Sequence, residues 1–381
     1  MNSNINRRKW LKTSLAMTSG LMITPAFVNR LMSTPMSAAE RAYFGPRQPS
    51  IKIRLNSNEN PYGPSEKARK SVLAALSEAN RYPFQVVDDL KLMLADREGV
   101  TKEHIAIGAG SGEMLCATGA AYGLEGGSIL APDPTFPLLM AYSEAFNSRW
   151  DKVNVNDNLE IDYERMASSI RADTRLVFVC NPNNPTGTLV DPLKVKAFCE
   201  EVSKKVPVFA DEAYLEFLEP SQQNSMVDLV RKGANVIVSR TFSKIYGLAG
   251  LRIGYLVASP DQIKRISRYQ TGFSVNQTAV AAAKASLGDQ DFMAMTRKKN
   301  AEARKILTDF LDRRSYFYGK SHTNFVFFDP KSEAQTFLAR LGERGIGIRV
   351  WDYNGKQWNR ISIGTADEMR ILVKNMEEIV S

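Results

Sequence analysis

The sequence predicts an α/β fold, with a large domain on a mostly parallel sheet and a smaller α+β domain beside it. Short apolar runs recur through the middle of the chain, at residues 105–107, 128–131, 175–180, 206–210 and 235–238. They are too short for buried helices and nearly continuous in apolar character, the pattern of strands covered on both faces. Each run ends in a turn-forming cluster that holds distinctive polar residues, and open α/β sheets gather ligands at the carboxyl ends of their strands. The 381 residues exceed the usual size of one core, so a second domain is expected.

Composition narrows the function. A hydrophobic content of 44% fits a soluble enzyme. Cys116, Cys180 and Cys199 lie far apart, without metal-ligand or disulfide spacing, as in chains folded in a reducing compartment. With two histidines, His104 and His322, no metal site is expected. Of the net charge of +9, +5 sits in residues 1–39, which hold Arg7, Arg8, Lys9, Lys12 and Arg30 and no acid, leaving +4 for the rest. That remainder shows no interleaved basic and aromatic motif, so nucleic acid is not an expected partner.

Residues 1–39 read as a signal segment. Asn6-Arg7-Arg8-Lys9-Trp10-Leu11-Lys12 resembles a twin-arginine export motif, and Ser37-Ala38-Ala39 offers small residues for cleavage before Glu40. The apolar stretch 13–24 between them is too short to span a bilayer, so no stable membrane span is expected. Export to the periplasm is the expectation; the alternative is a basic extension on a cytoplasmic enzyme. Residues 40–79 should form an N-terminal arm and part of the small domain, 80–285 the large domain and 286–381 the C-terminal small domain.

The elements follow in order. Residues 55–64, rich in Asn, Pro and Gly, form irregular turns before a helix over 65–79. Ile105 to Glu113 reads as a strand, a glycine-rich turn and a helix start, where Gly110, Ser111 and Gly112 can offer backbone N–H groups to an anion. Strand 128–131 ends in Pro132-Asp133-Pro134-Thr135-Phe136. Strand 175–180 ends in Asn181-Pro182-Asn183-Asn184-Pro185-Thr186-Gly187, and strand 206–210 in Asp211-Glu212-Ala213-Tyr214. A strand over 255–258, a loop over 268–276 and helical sequence over 277–311 follow. The small domain should hold strands at 324–328, 347–350 and 359–363 and helices at 333–344 and 367–379.

The chemistry concentrates in Ser239-Arg240-Thr241-Phe242-Ser243-Lys244-Ile245-Tyr246-Gly247-Leu248-Ala249-Gly250-Leu251-Arg252-Ile253-Gly254. A lysine just past a strand end can be held in a crevice, where burial and nearby positive charge lower its pKa and free the amine as a nucleophile. Arg252, with the hydroxyls of Thr241 and Ser243, could bind a phosphate. An amine beside a phosphate cup suits pyridoxal 5′-phosphate, which is carried on a lysine.

This segment resembles the lysine segment of the fold-type-I pyridoxal-phosphate-dependent aminotransferases (class I/II, the aspartate aminotransferase fold), closest to the histidinol-phosphate aminotransferase group. The other motifs appear in that family's order over about residues 50–380. The resemblance implies that Lys244 carries the cofactor and moves the substrate proton, that Asp211 pairs with the pyridine nitrogen, and that Asn184 and Tyr214 share the phenolic oxygen. It further implies that Phe136 stacks over the ring, that Tyr82 reaches across a homodimer to the phosphate, and that Tyr62 and Arg360 meet the substrate, with Arg349 as a second candidate arginine. The family usually carries an aspartate where Gly112 stands, so a side-chain contribution from that position is lost here.

The function implied is transfer of an amino group between an amino acid, or an amino-phosphate compound, and a 2-oxo acid. A decarboxylase or cyclase on the same fold, histidinol-phosphate aminotransferase itself, and a non-catalytic exported binding protein are the rival readings. Export would separate the enzyme from cytoplasmic histidine synthesis, which turns the substrate expectation toward free amino acids or specialised amino compounds, with Trp351, Asp352 and Tyr353 beside Arg349 shaping specificity.

Overall fold

A seven-stranded sheet runs through the larger part of the chain. Its strands are β2 (Ile105–Gly108), β3 (Ser128–Asp133), β4 (Arg149–Asn154), β5 (Thr174–Cys180), β6 (Val208–Asp211), β7 (Val236–Thr241) and β8 (Gly254–Val257), and the short β1 (Ile53–Arg54) lies outside it. The order across the sheet is β2-β8-β7-β6-β5-β3-β4. The β7–β6, β6–β5, β5–β3 and β3–β4 pairings are parallel, whereas β8 is antiparallel to both β7 and β2. The computed structural model describes residues 51–380, so the twin-arginine segment and its cleavage neighbourhood lie outside the described residues.

Alternate residues of each central strand enter two different cores, which is why their sequences read as continuous apolar runs. Val177 and Val179 of β5, Val208 and Ala210 of β6, and Val236 and Val238 of β7 enter one core. Leu176, Phe178, Phe209 and Ile237 enter the other. The edge strand β4, Arg-Trp-Asp-Lys-Val-Asn, is mostly solvent-facing. Its charges mask it in the sequence, and charged edges resist pairing with other chains.

The remaining strands are β9 (Phe325–Phe328), β10 (Ile346–Gly347), β11 (Arg349–Tyr353) and β12 (Lys356–Ser362). A three-stranded antiparallel sheet has the order β11-β12-β9, and β1 pairs parallel with β10. Val326 and Phe328 face a third core with Leu55, Leu307, Phe337, Ile361 and Leu372, while Phe327 between them faces the large core with Tyr353 and Trp358.

Several boundaries differ from the expectation. The strand expected at 206–210 begins at Val208 because Pro207 has no N–H to donate, although its carbonyl accepts from Val177. Helical sequence over 277–311 divides into Gln277–Leu287 and Gln290–Arg313 at Gly288. The single strand expected over 347–350 is two pieces with different partners. The β11–β12 hairpin turns through Asn354 (φ 49°) and Gly355 (φ 70°), left-handed conformations that this dipeptide adopts readily. The helix expected over 65–79 is Glu66–Ala75 followed by a 3₁₀ turn, Leu76–Glu78, and Ser65 caps it by accepting from the Ala68 N–H.

Behind the strand ends lies a fully buried charge network. Arg240 of β7 pairs with Glu212 at 2.8 Å and Glu216 at 2.9 Å and donates to Ser225 at 2.9 Å. Tyr255 of β8 donates to Glu98 at 2.7 Å. The network ties the segment that follows β6 to β7, and loss of one partner in such a cluster strands the other's charge.

Candidate active site

With every strand of the large sheet except β8 pointing the same way, the loops after β2, β3, β5, β6 and β7 share one edge. Because β8 runs in reverse, Arg252, just before its first residue, arrives at that same edge. Thr241 and Gly254 are register partners, so Lys244 and Arg252 sit in one short connection. A cavity of about 350 Å³ opens there, lined by Ser111, Gly112, Phe136, Asn184, Asp211, Tyr214, Thr241, Ser243, Lys244, Arg252, Arg349 and Arg360, with Ser57, Asn58 and Glu59 of the arm.

One end of the cavity is built for an anion. Gly110 precedes the helix Ser111–Gly123 with φ 80°, so N–H groups of the first helical turn face inward. Arg252 lies across the turn, donating to Ser243 Oγ at 3.3 Å, to the Ala249 carbonyl at 2.9 Å and to the Ala109 carbonyl at 3.3 Å. A Cβ on Gly110 would stand 2.4 Å from an Arg252 guanidinium nitrogen. Gly110 therefore shapes the cup without lining it, and Thr241 Oγ1 accepts from the Ser243 N–H at 3.1 Å.

At the centre, Lys244 Nζ lies 3.4 Å from the Asn58 carbonyl, to which it donates, and 5.6 Å from the centre of the Tyr214 ring. Burial, then the charge of Arg360, lower its pKa to about 8 against the opposing pull of Asp211. Asp211 is buried, and its Oδ1 accepts from the Ala213 N–H at 3.2 Å. Burial raises its pKa to about 7, opposed by that hydrogen bond and by Lys244. A carboxyl in this condition is stabilised as a carboxylate by a cationic group brought against it.

Of the three asparagines in the 181–187 turn, Asn184 faces the cavity. Asn181 pairs with both backbone groups of Val190, and Asn183 holds Pro134, Thr135 and Thr186. Asn184 Oδ1 accepts from Arg360 Nη1 at 2.7 Å, leaving its amide N–H₂ to donate elsewhere. Arg360 also donates to the Asn56 carbonyl at 3.0 Å and packs 5.3 Å from the Phe325 ring and 5.7 Å from the Trp351 ring. It is buried, its Nε has no partner, and among the described residues no carboxylate forms an ion pair with it. Burial lowers its pKa to about 10. Arg349 is the register partner of Arg360 and lines the same cavity from its exposed rim.

Two expected contacts lie elsewhere in the single chain. Tyr62 does not line the cavity; its ring sits under the Lys299 ammonium at 4.7 Å. Tyr82 is 71% exposed and packs on Phe84 and Phe273, with ring centres 5.8 and 5.4 Å away. Asn58 was not anticipated as a site residue. Its N–H donates to Ser362 Oγ at 2.7 Å, Ser362 donates back to its Oδ1, its Nδ2 donates to the Tyr214 hydroxyl at 2.9 Å, and its carbonyl receives Lys244. The available signal was the run of asparagines at 56, 58 and 60, which reads only as turn-forming until the tertiary partners are known.

The sequence of residues 50–376 matches the aminotransferase class I and II family. The chain belongs to that family. This aminotransferase is 37% identical to histidinol-phosphate aminotransferase 1 of Cupriavidus pinatubonensis over 347 residues, covering 90% of this chain and 92% of that protein. It is also 37% identical to the histidinol-phosphate aminotransferase of Moorella thermoacetica, with 86% of each chain covered. Among solved structures, it resembles histidinol-phosphate aminotransferase from Sinorhizobium meliloti in complex with pyridoxal 5′-phosphate. The TM-score is 0.78 at 27% identity, covering 96% of this chain and 99% of that one. The aminotransferase works with pyridoxal 5′-phosphate, and the donors present fit that group: an anion cup at one end, a buried carboxyl and a buried amine at the centre, and a guanidinium with a free N–H beyond.

Proposed function

We propose that this aminotransferase exchanges an amino group between a primary amine carrying an anionic tail and a 2-oxo acid. The observation that carries this reading is Arg360, a buried guanidinium that has no carboxylate partner and one unsatisfied N–H among the described residues, set beyond Lys244 and beside Arg349. Two forks suit a phosphate monoester or a carboxylate. The activity of the relatives favours histidinol phosphate as the amine. Free amino acids are the second reading, and the twin-arginine resemblance of residues 6–12 supports it, because an exported enzyme would not meet a cytoplasmic intermediate.

In this reading the cup of Ser111, Gly112, Thr241, Ser243 and Arg252 would hold the cofactor phosphate, Phe136 would pack on the ring, Asp211 would pair with its nitrogen, and Asn184 and Tyr214 would hydrogen-bond its phenolic oxygen. The bound cofactor supplies an electron sink. Lys244 would hold it covalently until the substrate amine displaces it, and the freed Nζ, its pKa lowered to about 8, would then accept the proton from the substrate Cα and return it on the other side of the exchange. Arg360, with Arg349 at the rim, orients the anionic tail so that the Cα–H bond meets Lys244.

Tyr82, Phe84 and Phe273 are exposed aromatics at 71%, 61% and 72%. They support a homodimer in which Tyr82 enters the neighbour's site. The core that joins Leu55 to Leu372 supports a small domain that takes in the arm around Leu55 together with residues 286–381, whereas Ala68 and Val72 of the helix Glu66–Ala75 pack into the large core. Cell fractionation of the full chain, before and after changing Arg7 and Arg8 to lysine, tests export; retention of the unaltered chain in the cytoplasm removes that reading. Steady-state kinetics with histidinol phosphate, histidine, glutamate and other amino acids tests the substrate. A higher kcat/KM for neutral amines than for every anionic one would overturn the proposal.

A further inference from the structure

We propose that Glu113 is a positioning residue that couples affinity for the cofactor phosphate to the order of the loop 270–275; this rests on reading the 110–112 turn as the phosphate cup. Glu113 is the third residue of the helix Ser111–Gly123. In a capping box a carboxylate at this place returns to the cap N–H of its own turn. Here Oε2 reaches one residue further back and accepts the Ala109 N–H at 2.6 Å. The same oxygen accepts the Ser274 hydroxyl at 2.7 Å, and Oε1 accepts the Thr271 N–H at 2.9 Å. Gln270 adds a parallel tie, donating to the Ile107 carbonyl at 3.2 Å.

Three donors from two segments far apart in sequence thus meet on one carboxylate. The Ala109 peptide unit gives its N–H to Glu113, and its own carbonyl anchors Arg252 at 3.3 Å. Arg252, Ser111 and Gly112 line the cavity, whereas Glu113 and Ser274 do not. On the other side the loop carries Phe273, left-handed at φ 60° and 72% exposed. Its ring lies 5.4 Å from Tyr82 and 5.6 Å from Phe84. The clamp therefore joins the turn that builds a protomer's own cup to the loop on which its exposed Tyr82 rests. A charge-assisted contact of this kind is short and directional, so displacement of either segment is passed to the other.

The test titrates pyridoxal phosphate into the apo forms of the full chain, Glu113→Gln and Ser274→Ala, and follows amide hydrogen exchange of residues 270–275 with and without it. Glu113→Gln should weaken binding about tenfold or more, the scale of a lost charge-assisted hydrogen bond. Ser274→Ala should weaken it less, from outside the cavity. Inorganic phosphate, measured by competition, should lose affinity in parallel, which places the loss in the cup rather than at Lys244. In the unaltered protein the cofactor should slow exchange in the loop; in saturated Glu113→Gln it should not. Unchanged affinity in Glu113→Gln, or loop exchange indifferent to cofactor in the unaltered protein, would overturn the coupling. Failure of the unaltered protein to take up the cofactor would overturn the reading of the cup as well.

Discussion

Replacing Arg360 by methionine should separate binding from stability. Burial has lowered the guanidinium from its ordinary value to about 10, so holding it charged costs about 3 kcal/mol at roughly 1.4 kcal/mol per pH unit. Methionine removes that cost and keeps the bulk between Phe325 and Trp351. It also leaves Asn184 Oδ1 and the Asn56 carbonyl without their donor, a loss of about 1–3 kcal/mol for each buried acceptor. The two effects offset, and the apo protein should melt within a few degrees of the unaltered one. Catalysis should not be spared. Losing the partner of a desolvated anion costs about 2–5 kcal/mol, or roughly 30-fold to several thousand-fold in kcat/KM for an amine with an anionic tail. The assay compares histidinol phosphate with histidinol, which lacks the phosphate, in both proteins. Selective loss of the phosphorylated substrate supports the clamp. Equal loss for both substrates, or a melting temperature lower by more than about 10 °C, would show that Arg360 serves the fold.

Three further outcomes are expected. Lys244→Ala should keep its fold by circular dichroism yet lose turnover and the visible absorbance of lysine-bound cofactor; persistence of that band would remove Lys244 from its role. Asp211 has its pKa raised from 3.8 to about 7, so it stabilises the apo protein below about pH 4 and loses that contribution as pH rises through 7, a change of roughly 4 kcal/mol. Apo Asp211→Asn should therefore gain stability over the unaltered apo protein between pH 5 and 8 in urea melts, while its holo form turns over far more slowly; a difference flat with pH would refute the burial argument. Finally, if Tyr82→Phe inactivates, mixing it with Lys244→Ala should restore shared-site activity, and a fully active monomer would exclude exchange of Tyr82 between copies.

Much of the site was legible because its residues follow apolar runs, and a run that ends in Asp-Glu-Ala-Tyr or Ser-Lys announces a strand end without knowledge of its neighbours. Lys244, Asp211, Asn184 and Arg252 could be placed that way. Asn58 could not, since its meaning comes from Tyr214 and Ser362, 156 and 304 residues away. Nor could the reversed direction of β8, because Gly-Tyr-Leu-Val reads the same in either sense. The Asn354-Gly355 hairpin was visible in principle, and its turn chemistry should have carried the strand expected at 347–350 on to Tyr353. Tyr62 differs again: its motif suggests a substrate contact, whereas in the single chain its ring packs under Lys299, outside the cavity lining.

The cations of the cavity also bear on how substrate arrives. Among the described residues, Lys244, Arg252, Arg349 and Arg360 line it against Asp211 and Glu59 alone. Such a mouth concentrates field lines, so a negatively charged molecule is drawn in before any contact forms. Encounter, unlike the proton transfer that follows it, then depends on the ionic atmosphere: at about 0.15 M salt the field reaches roughly 8 Å, little farther than the rim. In dilute buffer the rate of capture rises with the charge of the substrate, and small anions in the medium become competitors for the same guanidinium groups. The protein thus selects by charge at a distance before it selects by shape, and the ionic strength of its compartment sets how strongly the first selection acts.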